Sequence, residues 1–102
     1  MVYVIAQLTI HDRARYDRYA ARFMAVLQQF DGRLLASDES PQVVEGRWDH
    51  RKVVLLAFAD QAAFEAWAGS EAYQAIAQDR IAASEGPVLV VRGIERPPRA
   101  EA

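Results

Sequence analysis

Four runs of β-branched and other apolar residues constrain the fold of this chain most strongly, because each predicts a β-strand. They occupy residues 2–10, 33–37 continued by 43–48, 53–58 and 88–91. The second run is interrupted by polar residues, and we interpret its two pieces as one bent strand. The residues at 48–51 are predicted to form a tight connection, so this strand is expected to pair with the next one as a hairpin.

Two segments between these strands have the spacing of amphipathic helices. The first follows Asp12, a residue type that caps helix N-termini, and it is expected to end at Gly32 in a left-handed cap. The second has a short piece after Asp60 and a longer piece after Ser70, separated by Gly69. The resulting order, βαββαβ, predicts an α+β, ferredoxin-like fold with a four-stranded antiparallel sheet that carries both helices on one face.

Both faces of this sheet are predicted to be apolar, although a sheet covered on one side normally turns polar residues toward solvent. Tyr3 and Ile5 alternate with Val4, and the strands at 53–58 and 88–91 are apolar at every position. A domain of 102 residues buries only about two thirds of its unfolded surface. We therefore expect a second copy to cover the open face, which makes the protein a homodimer of the dimeric α/β barrel type.

The composition limits the partners and the location of the protein. The formal net charge of −2 and the pI of about 5.6 do not provide the basic surface that nucleic acids or anionic membranes require. The absence of cysteine excludes disulfides, thiolate catalysis and cysteine-rich metal centres. No basic leader and no long apolar run are present, so we expect a cytoplasmic protein with one domain at 1–95 and a flexible tail at 96–102.

The sequence carries no motif for a nucleotide cofactor or for serine hydrolysis. His11 and His50 have no partner at metal-ligand spacing, so no metal site is expected. Either histidine could ligate haem iron, but a lone histidine in a turn is more often simply solvated. We therefore expect no cofactor.

Three residues near the end of the second predicted strand are candidates for ligand contact. Glu45 and Arg47 would share one strand face and Trp48 would lie on the other, because strand side chains alternate. A carboxylate beside a guanidinium can orient a polar substrate or take part in proton transfer. An ion pair at the rim of the dimer explains the same pattern, and we give that structural explanation the greater weight.

Four aromatic residues at helical spacing can line a cleft between the helices and the sheet: Tyr16, Tyr19, Trp67 and Tyr73. Such a set suits a flat organic ligand, although core packing is the favoured role of Tyr16 and Trp67. Arg80 lies on the same predicted stripe as Tyr73 and requires an anionic partner. That partner is either Glu45 or an anionic group of a ligand.

Several short motifs together resemble those of the domain-of-unknown-function 1330 family, within the dimeric α/β barrel superfamily, over residues 3–94. They are Asp12 with Tyr16 and Tyr19, the stretch from Val44 to Trp48, Arg51 before Val53-Val54, Trp67 with Ser70 and Tyr73-Gln74, and Arg80 before Ala82-Ala83. The chain departs from the family pattern at Asp31-Gly32, at 36–38 and at 70–73. The resemblance implies the fold and the dimer but no activity, since the superfamily includes cofactor-independent monooxygenases, haem-degrading enzymes, isomerases and non-catalytic proteins.

The sequence leaves three functions open. The first is a homodimer that binds a small hydrophobic or anionic molecule between helices and sheet, with no catalytic residue assigned. The residues expected to contact that ligand are Tyr19, Glu45, Arg47, Trp48, Trp67, Tyr73 and Arg80. The second is a non-catalytic dimerisation module with a filled interior, which contacts other proteins through the acidic loop at Asp38-Glu39. The third is a cofactor-independent monooxygenase or isomerase.

Overall fold

The computed structural model describes residues 1–94, so Glu95 and the predicted tail at 96–102 lie outside the described residues. The elements follow one another as β1 Val2–Ile10, α1 Arg13–Gln28, β2 Arg33–Asp38, β3 Lys52–Phe58, α2 Gln61–Ala68, α3 Glu71–Ala83, β4 Ser84–Glu85 and β5 Val88–Arg92. The predicted α+β, ferredoxin-like arrangement is confirmed. Within residues 1–94, no helix has the length and apolar character needed to span a membrane.

The sheet is antiparallel throughout, and β1 lies at its centre. One side of β1 pairs with β3, which in turn pairs with the edge strand β2. The other side pairs with β5 and, near its C-terminal end, with the two-residue β4. The described residues therefore form five strands rather than four, because the chain leaving α3 makes a short bridge to Thr9 and Ile10 before β5 begins.

The helices begin where the sequence predicts, because each predicted N-cap makes its hydrogen bond. The carboxylate of Asp12 accepts from the backbone N–H of Arg15 at 3.1 Å, and that of Asp60 accepts from Ala63 at 2.8 Å. The hydroxyl of Ser70 accepts from the N–H of Tyr73 at 3.0 Å. Each bond satisfies a donor that the first helical turn leaves free.

The end of α1 differs from the prediction. The left-handed residue is Asp31, with φ of 55°, whereas Gly32 is not left-handed. Gly32 serves close packing instead, since an added Cβ would lie 2.7 Å from Cε1 of Phe58 and would overlap the side chain of Leu27. Both neighbours are fully buried, so the glycine lets the chain pass directly over the core.

The predicted strand at 43–48 is wrong. The second strand ends at Asp38, whose carboxylate accepts a hydrogen bond from the N–H of Ser40 at 2.7 Å and turns the chain. Pro41 follows and has no N–H to donate to a sheet. Residues 39–51 therefore form a long connection without strand pairing, and Glu45 and Arg47 do not share a strand face.

A register shift between Leu34 and Ala36 leaves Leu35 as an extra residue in β2. Leu34 lies opposite Leu56, and Ala36 lies opposite the next residue, Leu55. Such a bulge changes which side chains of the following residues face each side of the sheet.

The helices cover one face of the sheet and leave the other open. Alternate residues of the central strands, among them Val4 and Leu56, are buried under the helices. On the opposite face, Leu89 and Val91 are 47% and 39% exposed, and Ile5 is half-buried. The second face is therefore largely apolar, as the sequence predicts. Within residues 1–94 it stays exposed around Leu89 and Val91, whereas Trp48 of the long connection packs on it at Gln7.

Candidate functional site

A cavity of about 340 Å³ lies between the helices and the sheet face that they cover. Its floor is formed by alternate residues of β1 and β3, from Val4 to Leu8 and from Lys52 to Leu56. Each of these stretches is about 13 Å long at the usual rise of a strand. Small-molecule pockets occupy about 300–1,000 Å³, so this cavity is suited to a molecule of one or two rings.

The cavity is open along one side of α1. Met24 on α1 and Leu34 on the edge strand β2 line it and are 39% and 37% exposed. Ser37 lies on the same side of β2 and is also exposed. A ligand can therefore enter between α1 and β2.

Aromatic side chains form the wall opposite the sheet. The rings of Trp67 and Tyr73 are in direct contact, with centroids 4.0 Å apart. Phe23 meets Trp67 edge to face at 6.1 Å, and Tyr19 meets Tyr73 edge to face at 6.2 Å. Such contacts hold the rings rigidly and present both apolar faces and polar edges to the cavity.

Two phenolic hydroxyls meet within this wall. Tyr19 Oη and Tyr73 Oη are 2.9 Å apart and share a buried hydrogen bond. Burial raises the pKa of Tyr19 well above its usual value, and the neighbouring Tyr73 raises it further. Burial also raises the pKa of Tyr16 to about 12. The hydroxyls of Tyr16 and Tyr19 are therefore neutral hydrogen-bonding groups at physiological pH.

In the described part of the chain, two charged residues line the cavity, and both are cations: Lys52 and Arg80. The Nζ atom of Lys52 lies 4.8 Å from the ring centroid of Tyr16, and burial lowers the pKa of this lysine. Arg80 is half-buried near the end of α3. No carboxylate within residues 1–94 comes within 4.0 Å of the charged atoms of either residue.

Nearby carboxylates are paired with surface arginines instead. Asp79, next to Arg80 in sequence, accepts a hydrogen bond from Nε of Arg15 at 2.8 Å and lies 3.6 Å from Arg18. At the other end of the cavity, Glu39 accepts hydrogen bonds from Arg13. The hydrogen bond with the arginine lowers the pKa of each carboxyl group, so both are ionised near neutral pH.

The cavity lies in a domain whose sequence matches one family over its described length. The family model described as "domain of unknown function (DUF1330)" matches residues 1–94. The chain belongs to the DUF1330 family. The sequence matches none of the curated proteins.

Solved structures similar to this DUF1330 protein share its fold at low sequence identity. A protein of unknown function from Rhodopseudomonas palustris has a TM-score of 0.78 and 12% identity, over 93% of this chain and 83% of that one. SnoaB, a cofactor-independent oxygenase from Streptomyces nogalater, has a TM-score of 0.64 and 17% identity, over 96% and 97%. A dimeric ferredoxin-like protein of unknown function from Jannaschia sp. CCS1 has a TM-score of 0.60 and 23% identity, over 88% and 94%.

Four of the predicted ligand-contacting residues meet in the cavity of this DUF1330 protein: Tyr19, Trp67, Tyr73 and Arg80. They come from all three helices, and the sequence stripes predict their common orientation. Trp67 is 4% exposed and packs against Phe58 with ring centroids 5.3 Å apart. Its main contribution is therefore to the core, as the sequence favours.

The three predicted residues from 45–48 lie elsewhere. Glu45 and Trp48 border a shallow groove of the long connection. Nε1 of Trp48 donates a hydrogen bond to Oε1 of Gln7 at 2.9 Å, on the face of the sheet away from the helices. The side chain of Arg47 is 90% exposed and lies 3.5 Å from Asp49. Glu45 is thus not the partner of Arg80.

Sequence reasoning missed Lys52 and Ser37. The signal for Lys52 is the alternation along β3, since Lys52 has the same parity as the helix-facing Leu56. Ser37 gives no such signal, because the bulge at Leu35 changes the parity of β2.

Proposed function

We propose that this protein is a homodimer that binds a small hydrophobic organic anion in the cavity between its helices and sheet. The observation that carries the proposal is the lining, in which the described aromatic and aliphatic side chains of residues 1–94 surround two cations and no carboxylate. Ligand sites commonly combine an apolar wall with a few polar groups that fix orientation. Here the charged groups, Lys52 and Arg80, are positive and therefore favour a negatively charged ligand.

Arg80 supports an anionic ligand most directly. A half-buried guanidinium that has no carboxylate within 4.0 Å among residues 1–94 gives up part of its hydration and gains no ion pair from them in return. An anionic oxygen of a ligand would supply that pair through charge-assisted hydrogen bonds. Lys52 provides a second positive charge, beside Tyr16.

The same features favour ligand binding over a purely structural dimerisation module. A structural module requires a filled interior with Arg80 paired internally. The open cavity, together with the pairing of Asp79 to Arg15 and Arg18, supports the opposite arrangement. Oxygenation is not part of the proposal, since the likeness to SnoaB at 17% identity is a likeness of fold.

The homodimer is supported by the uncovered sheet face. Leu89 and Val91 form part of an apolar surface that water would otherwise contact, and a two-fold axis allows two such faces to cover each other. The similar Jannaschia protein is described as dimeric. Because the cavity is on the other face of the sheet, this mode of association leaves its opening between α1 and β2 free.

A matched pair of probes tests the anion preference. 2-Naphthoate and 2-naphthamide have the same rings, but only the first is charged, and their affinities can be compared by isothermal titration calorimetry. We expect 2-naphthoate to bind at least about tenfold more tightly, since a hydrogen bond to a charged group contributes about 1.5–3 kcal/mol. Equal affinities, or no binding of either probe, would contradict the proposal.

Native mass spectrometry of the same samples tests the dimer. The expected spectrum shows two chains, with two copies of 2-naphthoate at saturation. A monomer that still binds 2-naphthoate would refute the dimer and leave the binding proposal intact.

A further inference from the structure

The hydroxyl pair of Tyr19 and Tyr73 has one more O–H donor than its shared hydrogen bond requires. Two phenols carry two O–H protons, but only one proton can lie between oxygens 2.9 Å apart. Either phenol can be the donor, and neither hydroxyl has another hydrogen-bond partner within residues 1–94. The two side chains are only 6% and 7% exposed. One phenolic donor in the cavity wall is therefore left to be satisfied by something inside the cavity.

The charged residue of α3 that lines the same cavity is Arg80. Arg80 follows Tyr73 by seven residues, two turns of α3, so both side chains are on the cavity side of the helix. Long helical side chains lean toward the N-terminus, which brings the guanidinium toward Tyr73. The charge of Arg80 also opposes the effect of burial on the pKa of Tyr19 and of Tyr16.

We propose that the Tyr19–Tyr73 hydroxyl pair and Arg80 form an oxyanion site that binds the ionised form of a phenolic or enolic ligand in preference to its neutral form. This inference rests on the proposed function and specifies the chemical class of the ligand. The phenol that accepts within the pair donates its own proton to the ligand oxygen, and this donor is strengthened by the bond that it receives. The guanidinium supplies the compensating charge.

The surroundings of the pair favour loss of the ligand's proton. Titratable and charged groups facing it from the packed elements are Tyr16 on α1, Lys52 on β3 and Arg80 on α3. Beyond them, Arg13 and Glu39 are paired with each other at the rim. Among residues 1–94, no carboxylate or imidazole lines the cavity, so the described residues place no base beside a bound phenol and its proton passes to the solvent.

4-Nitrophenol tests this site, because its ionised and neutral forms differ in visible absorbance. The bound probe is titrated with pH, and we expect the phenolate to bind about tenfold more tightly than the phenol, which lowers the pKa of the bound probe by about 1. The Tyr19→Phe, Tyr73→Phe double variant and Arg80→Gln should each bring the pKa of the bound probe back toward its value in water. Tyr3→Phe, which removes a hydroxyl from the opposite face of the sheet, should leave it lowered.

The double variant is expected to fold, because replacing both partners of a buried hydrogen bond by apolar groups of the same shape is nearly neutral. Circular dichroism and an unchanged Tm check this. If 2-naphthoate binds and the pKa of bound 4-nitrophenol equals that in water, the oxyanion site is refuted while the proposed function stands. If the wild type binds neither probe, both are refuted. A lowered pKa that persists in the double variant would also refute the role of the tyrosines.

Discussion

Replacing Arg80 by glutamine separates a ligand-binding role of this residue from a structural one. Arg80 lines the cavity and has no carboxylate within 4.0 Å among residues 1–94, so its removal breaks no internal ion pair. Glutamine keeps most of the side chain's length and volume. We therefore expect the free energy of unfolding, measured with urea, to change by no more than about 0.5 kcal/mol. The affinity for 2-naphthoate should fall by about 1.5–3 kcal/mol, or roughly 10- to 150-fold in Kd.

The neighbouring residue provides the matched control. Asp79→Asn removes the charge that pairs with Arg15 and Arg18 but does not line the cavity. This variant should lower the Tm and leave the Kd of 2-naphthoate unchanged. The opposite pattern at Arg80, a large loss of stability with unchanged affinity, would show that the arginine is structural and would refute the reasoning.

Three further predictions concern pH, backbone and assembly. The pKa of Tyr16 is about 12 in the folded protein and about 10 in the unfolded chain, so the unfolded state loses its proton first as the pH rises. The free energy of unfolding, measured with urea, should therefore fall by about 3 kcal/mol between pH 10 and 12. A Tyr16→Phe variant should lose less over the same range. Gly86→Ala should lower the free energy of unfolding by about 3 kcal/mol or more in the same assay, because φ is +141° and the new Cβ would overlap the carbonyl oxygen of Gln7. Gly46→Ala is the control: its φ is +80° but the new Cβ would meet open space, so it should lower the free energy of unfolding by about 1 kcal/mol. Leu89→Glu should yield a monomer in light scattering without loss of 2-naphthoate binding; a persistent dimer would place the interface elsewhere.

Local chemistry explains which parts of the fold could be predicted from the sequence. Asp12, Asp60 and Ser70 are strong N-caps with well-defined hydrogen bonds, and the long apolar runs have no competing structure. The segment at 43–48 has the composition of a strand, but its pairing depends on the preceding residues. There the Asp38 carboxylate binds the N–H of Ser40 and the chain turns away from β3.

The candidate site could be predicted where it depends on helix periodicity and could not where it depends on pairing. Tyr19, Tyr73 and Arg80 share their helix faces by spacing alone. Lys52 stands before an apolar run and could be taken for its solvent-exposed flank. Its alternation with Leu56 gives a weak signal, and the register that places it opposite the buried Leu8 establishes that it faces the helices.

The extra residue in β2 has a consequence for the sign of the charge inside the protein. After the bulge at Leu35, Ser37 lies opposite Val54 and faces the helices, while Asp38 lies opposite Val53 and faces away. If Leu35 were instead paired regularly with Leu55, Asp38 would lie opposite Lys52 on the helix-facing side, and the two charges would neutralise each other. A single unpaired residue on an edge strand thus keeps a carboxylate out of the cavity and leaves its lysine available to an incoming anion.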